Sequence, residues 1–430
     1  MRFRNSEHAN LDEIVPGGAH TYSRGDDQFP INAPRYLLKG RGAKVWDQNN
    51  SKYWDLSMGL RSVSIGHGNF SQSLRIFFGS VRGVNLSRPV LEELELATLL
   101  RSLIPSAEMV KFGKNGSDAT SGAIRISRAV TNKSYILRSK DSAFLSVSDW
   151  FIGSTEMNAG VTSFDKELTK NFKYGSITEI VKLYEKLSGD VAAIILEPYG
   201  INGIDAEFLR NLREFCDNTG VILIFDEVVS GFRFALGGIQ DIVKVTPDLS
   251  TFGKSMANGY PLSALVGKAE IMQRGGINHE AERVFLMSST YGSERSGLIA
   301  GIWTINKMIK DKIIFENSLV AEEFKKLINA SFEKFNLNDE LNLTGLSLLP
   351  SLNYTGRFLE DLPRAKAAFS YACIENGLLM PYISFSASHR KDFITFIGQN
   401  IDVITKRFLE IWDNKEMMVG SIKPVFRKFN

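Results

Sequence analysis

Residues 221–233 read VILIFDEVVSGFR: five apolar residues, then an aspartate, Asp226, where the apolar run stops. An apolar run of this length between turn signals fits a strand buried on both faces. A carboxylate at its end is costly to ionise unless a cation meets it. A protonated pyridine nitrogen is one such cation; a cap on a following helix is the plainer alternative, and this stretch alone does not choose between them. Working outward, VAAIIL at 191–196 is a second buried run, closed by Glu197. Between the two lies EFLRNLREFCDNTG, with helical periodicity and Gly220 placed to end it. Strand, helix and strand in this order predict a parallel sheet covered on both faces, with ligands beyond the carboxyl ends of the strands.

Downstream, DLSTFGKSMANGYPLSALVG at 248–267 carries Lys254 among small residues: Ser250, Thr251, Gly253 and Ser255. Small neighbours let an aldehyde reach the amine, and desolvation makes a lysine nucleophilic. One lysine among 51 basic residues is ordinarily a solvated charge, and its company with Asp226 is what singles it out. Upstream, Gly116-Ser117 precede a run in which Ala119, Ala123, Ile126 and Val130 share a helical face, with Ser117 or Asp118 as the expected cap. The N–H groups of such a helix start would cradle a phosphate, although an ordinary helix start looks the same. Farther out, LEELELATLLRSLI predicts a helix with a leucine stripe, and Gln48-Asn49-Asn50 predicts the turn of a hairpin near the N-terminus.

The 430 residues are 43% hydrophobic and 23% charged with a net charge of +3, so neither disorder nor a polyanionic partner is indicated. Apolar runs are far shorter than the roughly 20 residues of a spanning helix, and the N-terminus lacks a signal-like apolar stretch, so a cytoplasmic location and no membrane or nucleic-acid partner are expected. Two cysteines and five scattered histidines predict neither a disulfide framework nor a metal site. The pattern predicts a large α/β domain over 66–310 and a smaller α+β domain from 1–65 and 311–430.

Six segments in order, KNGSDATSGAIRISRA, SDWFIG, IILEPYG, VILIFDEVVSGFR, TFGKSMANGYPLSALVG and SSTYGSE, resemble class III aminotransferases of the fold-type I pyridoxal-phosphate group. The branch most resembled contains glutamate-1-semialdehyde aminomutase; VPGGAHTYSRGDDQFP and SIGHGN fit it too. The resemblance runs from about residue 12 to 300 and implies pyridoxal 5′-phosphate as cofactor, on a mainly parallel central sheet covered by helices. It implies that Lys254 forms a Schiff base with the cofactor and moves the proton, while Asp226 pairs with the pyridine nitrogen and Val228 packs on the ring. Gly116 and Ser117 would bind the phosphate, with Thr290 reaching it from a second subunit of a homodimer. Glu197 would lie near the cofactor hydroxyl or the substrate, unless it is only a strand-end carboxylate.

Arg24 lines up with an arginine that binds a substrate carboxylate, its alternative being an ion pair with Asp26 or Asp27. Arg61 is a second cation able to read an acidic group. Where relatives stack an aromatic-His-Gly triplet on the ring, this chain has Phe144-Leu145-Ser146, with Trp150 as fallback or as core packing. The aminomutase's acid before the region resembling SASHRKDF is missing here. The expected activity is therefore transfer from an amino-acid donor to a small keto acid, aldehyde or keto-sugar acceptor. A 2,1-aminomutase and a non-catalytic homologue are the alternatives. No G-x-G-x-x-G follows the first strand, which argues against a dinucleotide-binding dehydrogenase.

Overall fold

The computed structural model describes residues 11–429. The chain forms two compact units, one running to Met58 and resuming at Ser318, the other spanning Gly59–Asn317. In the first unit, β1 (Leu37–Arg41), β2 (Lys44–Asp47) and β3 (Lys52–Asp55) pair antiparallel in succession. The β2–β3 turn forms because Asp47 Oδ1 accepts from the N–H groups of Asn49 and Ser51 at 2.9 and 2.8 Å, while Asn50 takes φ 64°. Asparagine tolerates that left-handed conformation better than most residues.

The second unit is built on a seven-stranded sheet. Its strands are β4 (Met109–Gly113), β5 (Tyr135–Ser139), β6 (Thr169–Phe172), β7 (Val191–Leu196), β8 (Ile222–Asp226), β9 (Leu249–Phe252) and β10 (Ser263–Gly267), in the order β4-β10-β9-β8-β7-β5-β6. Neighbours from β6 to β9 run parallel, and β10 runs antiparallel to both β9 and β4. The sheet is thus mainly parallel, as the apolar runs predict. The antiparallel β10 is not visible in the pattern of SALVG. Helices Ile177–Lys186 and Ala206–Thr219 carry apolar residues onto a core that includes Leu137, Ile194, Phe208, Leu212 and Leu223. The helix Gly116–Thr131 packs across β7, β9 and β10.

One local expectation, the helix cap, needs correction, and one, the leucine stripe, is a helix only partly buried. The 116–131 helix is capped by Asn115, and Ser117 and Asp118 lie inside its first turn, where Asp118 Oδ2 reaches back to the N–H of Asn115 at 2.9 Å. In the helix Leu91–Leu103 only Leu96 and Leu100 of the leucine stripe are buried, and Leu91 and Leu94 are exposed. The helix 206–219 ends as predicted, at Gly220 with φ 69°.

The smaller unit completes its four-stranded sheet with β13 (Leu378–Leu379), parallel to β3, and adds the pair β11 (Leu341–Thr344) and β12 (Ser351–Tyr354). Its helices Leu362–Glu375 and Lys391–Asp413 meet on an aromatic core of Phe358, Phe369, Phe408 and Trp412.

Candidate active site

The parallel strands β7, β8 and β9 end at Leu196, Asp226 and Phe252, so Glu197, Asp226 and the Gly253-Lys254 step emerge on one edge of the sheet. Asp226 is 4% exposed. Its Oδ1 accepts from Val228 N–H at 3.0 Å and from Thr251 Oγ1 at 2.8 Å. Both bonds end on that oxygen, and among the described residues no hydrogen bond reaches Oδ2. Residues 227–238 form turns, which removes the helix-cap alternative for Asp226. The neighbouring Glu227 is fully buried, yet it serves the loop instead. It accepts from Ser230 Oγ and from the N–H groups of Ile239 and Gln240 at 3.0 and 2.9 Å.

Lys254 opens a short 3-10 turn, Lys254–Ala257, at φ 41°, a conformation that a side-chain-bearing residue adopts only at some cost. Desolvation lowers the pKa of its amine; the cations Arg61 and Arg233 act in the same direction, against the carboxylates Glu197 and Asp226. Desolvation raises Asp226, and Glu197 adds to that rise. Glu197 is raised by desolvation and pulled down by the Tyr199 hydrogen bond, then by Lys254 and Arg61. Tyr199 Oη donates to Glu197 Oε1 at 2.8 Å, and Glu197 N–H donates to Ser142 Oγ at 3.0 Å. The site therefore holds an amine biased toward its neutral, nucleophilic form among carboxylates, with guanidinium groups close by.

Val228 joins the parts. A Cβ placed on Gly116 would stand 3.0 Å from both Val228 methyls, and one on Gly253 would stand 3.5 Å from Cγ1. The N-terminal turn at Gly116-Ser117, the aspartate strand end and the lysine turn are therefore contiguous around one side chain. N–H groups of a first helical turn have no acceptor within the helix. Ser117 Oγ accepts from Val147 N–H at 3.1 Å, and Thr120 Oγ1 donates to Leu145 O at 2.8 Å, holding the 144–148 loop against the same turn.

Phe144 lies on that loop, half exposed, with its ring 5.8 Å from that of Phe151. Trp150 is buried and donates from Nε1 to Ser121 Oγ at 3.1 Å, which fits core packing. Thr290 is exposed, and its carbonyl accepts from Asn85 Nδ2 at 3.2 Å. Arg24 belongs to the first unit; it is exposed and pairs with neither Asp26 nor Asp27, the latter bonding Arg427 at 2.7 Å. Sequence reasoning passed over Tyr199 and Arg233, and read Thr251 only as a small neighbour of Lys254, not as a partner of Asp226. Tyr199 stands two residues beyond a singled-out strand end, a signal that position alone could have raised. Arg233 gives no local signal.

Together these groups fit an aromatic aldehyde phosphate with a ring nitrogen. The Asp226 Oδ2 suits a ring N–H, the 116–117 turn suits a phosphate, and Lys254 supplies the amine. Among the described residues no cluster of His, Cys, Asp or Glu suits a metal ion, and no helix is long and apolar enough to cross a membrane.

Known proteins agree with that chemistry. The family model Aminotransferase class-III matches residues 21–337. Glutamate-1-semialdehyde 2,1-aminomutase of Fusobacterium nucleatum subsp. nucleatum is 34% identical over 439 residues, covering 96% of this chain and 99% of that protein. 3-Aminobutyryl-CoA aminotransferase of Cloacimonas acidaminovorans is 32% identical over 350 residues, covering 80% and 81%. Among solved structures, the PLP internal aldimine form of FumI from Sphingopyxis sp. matches with a TM-score of 0.84 at 24% identity, over 94% of this chain and 96% of that one.

Proposed function

The chain belongs to the class-III aminotransferases, and on that premise we propose that Lys254 and Asp226 are its catalytic pair in transfer between two separate molecules. It is an amino-group-transferring enzyme, and its cofactor is pyridoxal phosphate. The donor is an amino acid; the acceptor is a small keto acid, aldehyde or keto sugar. The observation that carries the assignment is the buried Asp226 with one oxygen left over, contiguous through Val228 with both Lys254 and the Gly116 helix start.

Bound pyridoxal phosphate supplies an aldehyde that condenses with amines and a ring that accepts the electrons released at the substrate carbon. The protein's part is to hold and orient. Asp226 would hold the ring N–H through Oδ2, and a cation there would offset the desolvation that raises its pKa. Val228 would pack on the bound ring, and Phe144 would be the aromatic side chain that stacks on it. Gly116 and Ser117 would hold the phosphate at the helix start. Lys254, biased toward the neutral amine, takes up and returns the proton at the substrate carbon. Glu197, held by Tyr199, stands near the ring hydroxyl or the substrate. Arg61 reads an anionic group on the substrate, which a guanidinium does bidentately.

A homodimer with shared active sites completes the reading, with Thr290 of each subunit serving its partner's phosphate. The support is Thr290's exposure and an exposed apolar set, Phe70, Phe77, Phe78, Leu91 and Leu94, close together in sequence. Apolar side chains grouped in this way mark an interaction surface. The location is cytoplasmic.

The 2,1-aminomutase remains the second reading, favoured by the near end-to-end match to the Fusobacterium protein. The 381–393 stretch, PYISFSASHRKDF, lacks the acid that precedes its counterpart in the aminomutase, and this favours the intermolecular reaction. Incubating holoenzyme with a candidate acceptor, with and without L-glutamate or L-alanine as donor, separates the two. Product that appears only with donor fits transfer; product formed from glutamate-1-semialdehyde without any donor would establish the mutase instead.

A further inference from the structure

The segment Gly59-Leu60-Arg61 holds a conformation that L residues resist. Its φ values are 61°, 58° and 69° in succession, three steps of left-handed helix. Each side-chain-bearing residue there is strained, because its Cβ crowds the following carbonyl oxygen. Such a turn persists only where its surroundings over-determine it, and here they do. Ser62 Oγ donates to Gly59 O at 2.7 Å, and Ser64 Oγ donates to Ser255 O at 2.8 Å. The N–H groups of Ser64 and Ile65 both donate to Asn258 Oδ1, at 3.0 and 2.8 Å.

Arg233 closes the bracket. Only 5% exposed, it donates from Nε to Val229 O at 3.0 Å and from Nη2 to both the Arg61 carbonyl and Ser255 Oγ, the latter at 2.7 Å. Ser255 directly follows Lys254. One buried guanidinium therefore ties the turn bearing Arg61 to the turn bearing the reactive amine. Burying such a group is costly, and desolvation, with the nearby charge of Arg61, lowers its pKa to about 9. A position that needed only filling would be served better by an apolar side chain. The Arg61 charge in turn acts on Lys254, Glu197 and Tyr199, so its guanidinium addresses the same space as the amine.

We propose that Arg233 is a specificity-determining positioning residue. It fixes the spacing between the Arg61 guanidinium and the Lys254 amine, and so selects substrates whose carboxylate stands at one set distance from the reacting amino carbon. The inference rests on the reading of Arg61 as the side chain that binds the substrate's anionic group.

The test uses holoenzyme and a ruler of amines: glycine, β-alanine, 4-aminobutyrate, 5-aminovalerate and neutral n-butylamine. The readout is the rate at which each bleaches the visible cofactor absorbance. Wild type should prefer one chain length by at least tenfold over its neighbours and over n-butylamine. Arg61→Gln should erase the advantage of carboxylate-bearing amines over n-butylamine. Arg233→Gln should keep that advantage but flatten the chain-length profile, and Ser255→Ala should do so in part, carrying the test if the buried arginine variant does not fold. A second readout is the pH at which apoprotein half-reacts with pyridoxal phosphate. Arg233 lowers the Lys254 pKa, so Arg233→Gln should move that midpoint upward. An unchanged carboxylate advantage in Arg61→Gln overturns the reading of Arg61 and this inference with it. Loss of that advantage in Arg61→Gln, with an intact length profile in the Arg233 and Ser255 variants or a flat one in wild type, overturns this inference alone. No bleaching by any amine overturns the function on which both rest.

Discussion

At the residue scale, Asp226 and Lys254 work through environment. Asp226 is buried with two donors on one oxygen, so removing its charge leaves the local backbone satisfied while withdrawing the partner of a ring cation. Asp226→Asn should fold and lose about 100-fold or more in kcat/KM, the size typical of one removed electrostatic contact in a water-excluded site; steady-state kinetics beside a thermal melt checks both halves. The pH behaviour of Lys254 has a definite sign. Its amine is neutral above its depressed pKa, and Glu197 raises that pKa. Glu197→Gln should therefore lower it further and move the midpoint for trapping Lys254 with pyridoxal phosphate and borohydride to lower pH. A midpoint that rises, or does not move, contradicts the electrostatics described above. The same two residues were legible in the sequence because each ends an apolar run or sits among small neighbours. Arg233 was not, since its acceptor on Arg61 lies 172 residues away and no local pattern encodes that contact.

At the element scale, the strands were legible where burial on both faces forces continuous apolar runs, as in β7 and β8. The reversal of β10 was hidden because SALVG reads alike in either direction. One helix start was displaced by two or three residues: Asn115, Ser117 and Asp118 are all competent caps, and only the fold selects Asn115. Glycines at positive φ give a stability test with an internal contrast. Gly238 has φ 83°, and a Cβ there would stand 2.5 Å from the Glu227 carboxyl carbon, the hub of the 227–240 loop. Gly220 has φ 69° with open space around its Cβ position. Gly220→Ala should cost about 1 kcal/mol, the backbone penalty alone. Gly238→Ala should cost about 2–4 kcal/mol, because it also displaces a buried, hydrogen-bonded carboxylate. Urea unfolding midpoints compare the two, and equal losses would show that Glu227 does not organise the loop.

At the scale of the whole molecule, one part of the proposed site lies outside a single chain. The leucine stripe of 91–103 was legible as amphipathic, yet Leu91 and Leu94 face solvent on the chain alone, because a sequence does not say whether an apolar face meets its own core or another subunit. With Phe77 and Phe78 they supply the surface expected to bury a second copy. Phe77→Lys combined with Leu91→Lys should shift the protein from dimer to monomer in sedimentation, and weaken pyridoxal phosphate binding at least tenfold as each site loses its partner's Thr290. A monomeric wild type, or a monomeric variant with unchanged cofactor affinity, removes the shared-site reading.

The central claim is that Lys254 is the amine to which the cofactor attaches. The most direct measurement is the visible absorbance of purified protein after incubation with pyridoxal phosphate, in wild type and in Lys254→Ala. A band in wild type that fades on adding an amino donor, and that is missing from the variant, is the predicted result. No band in wild type, or the same band in the variant, contradicts it.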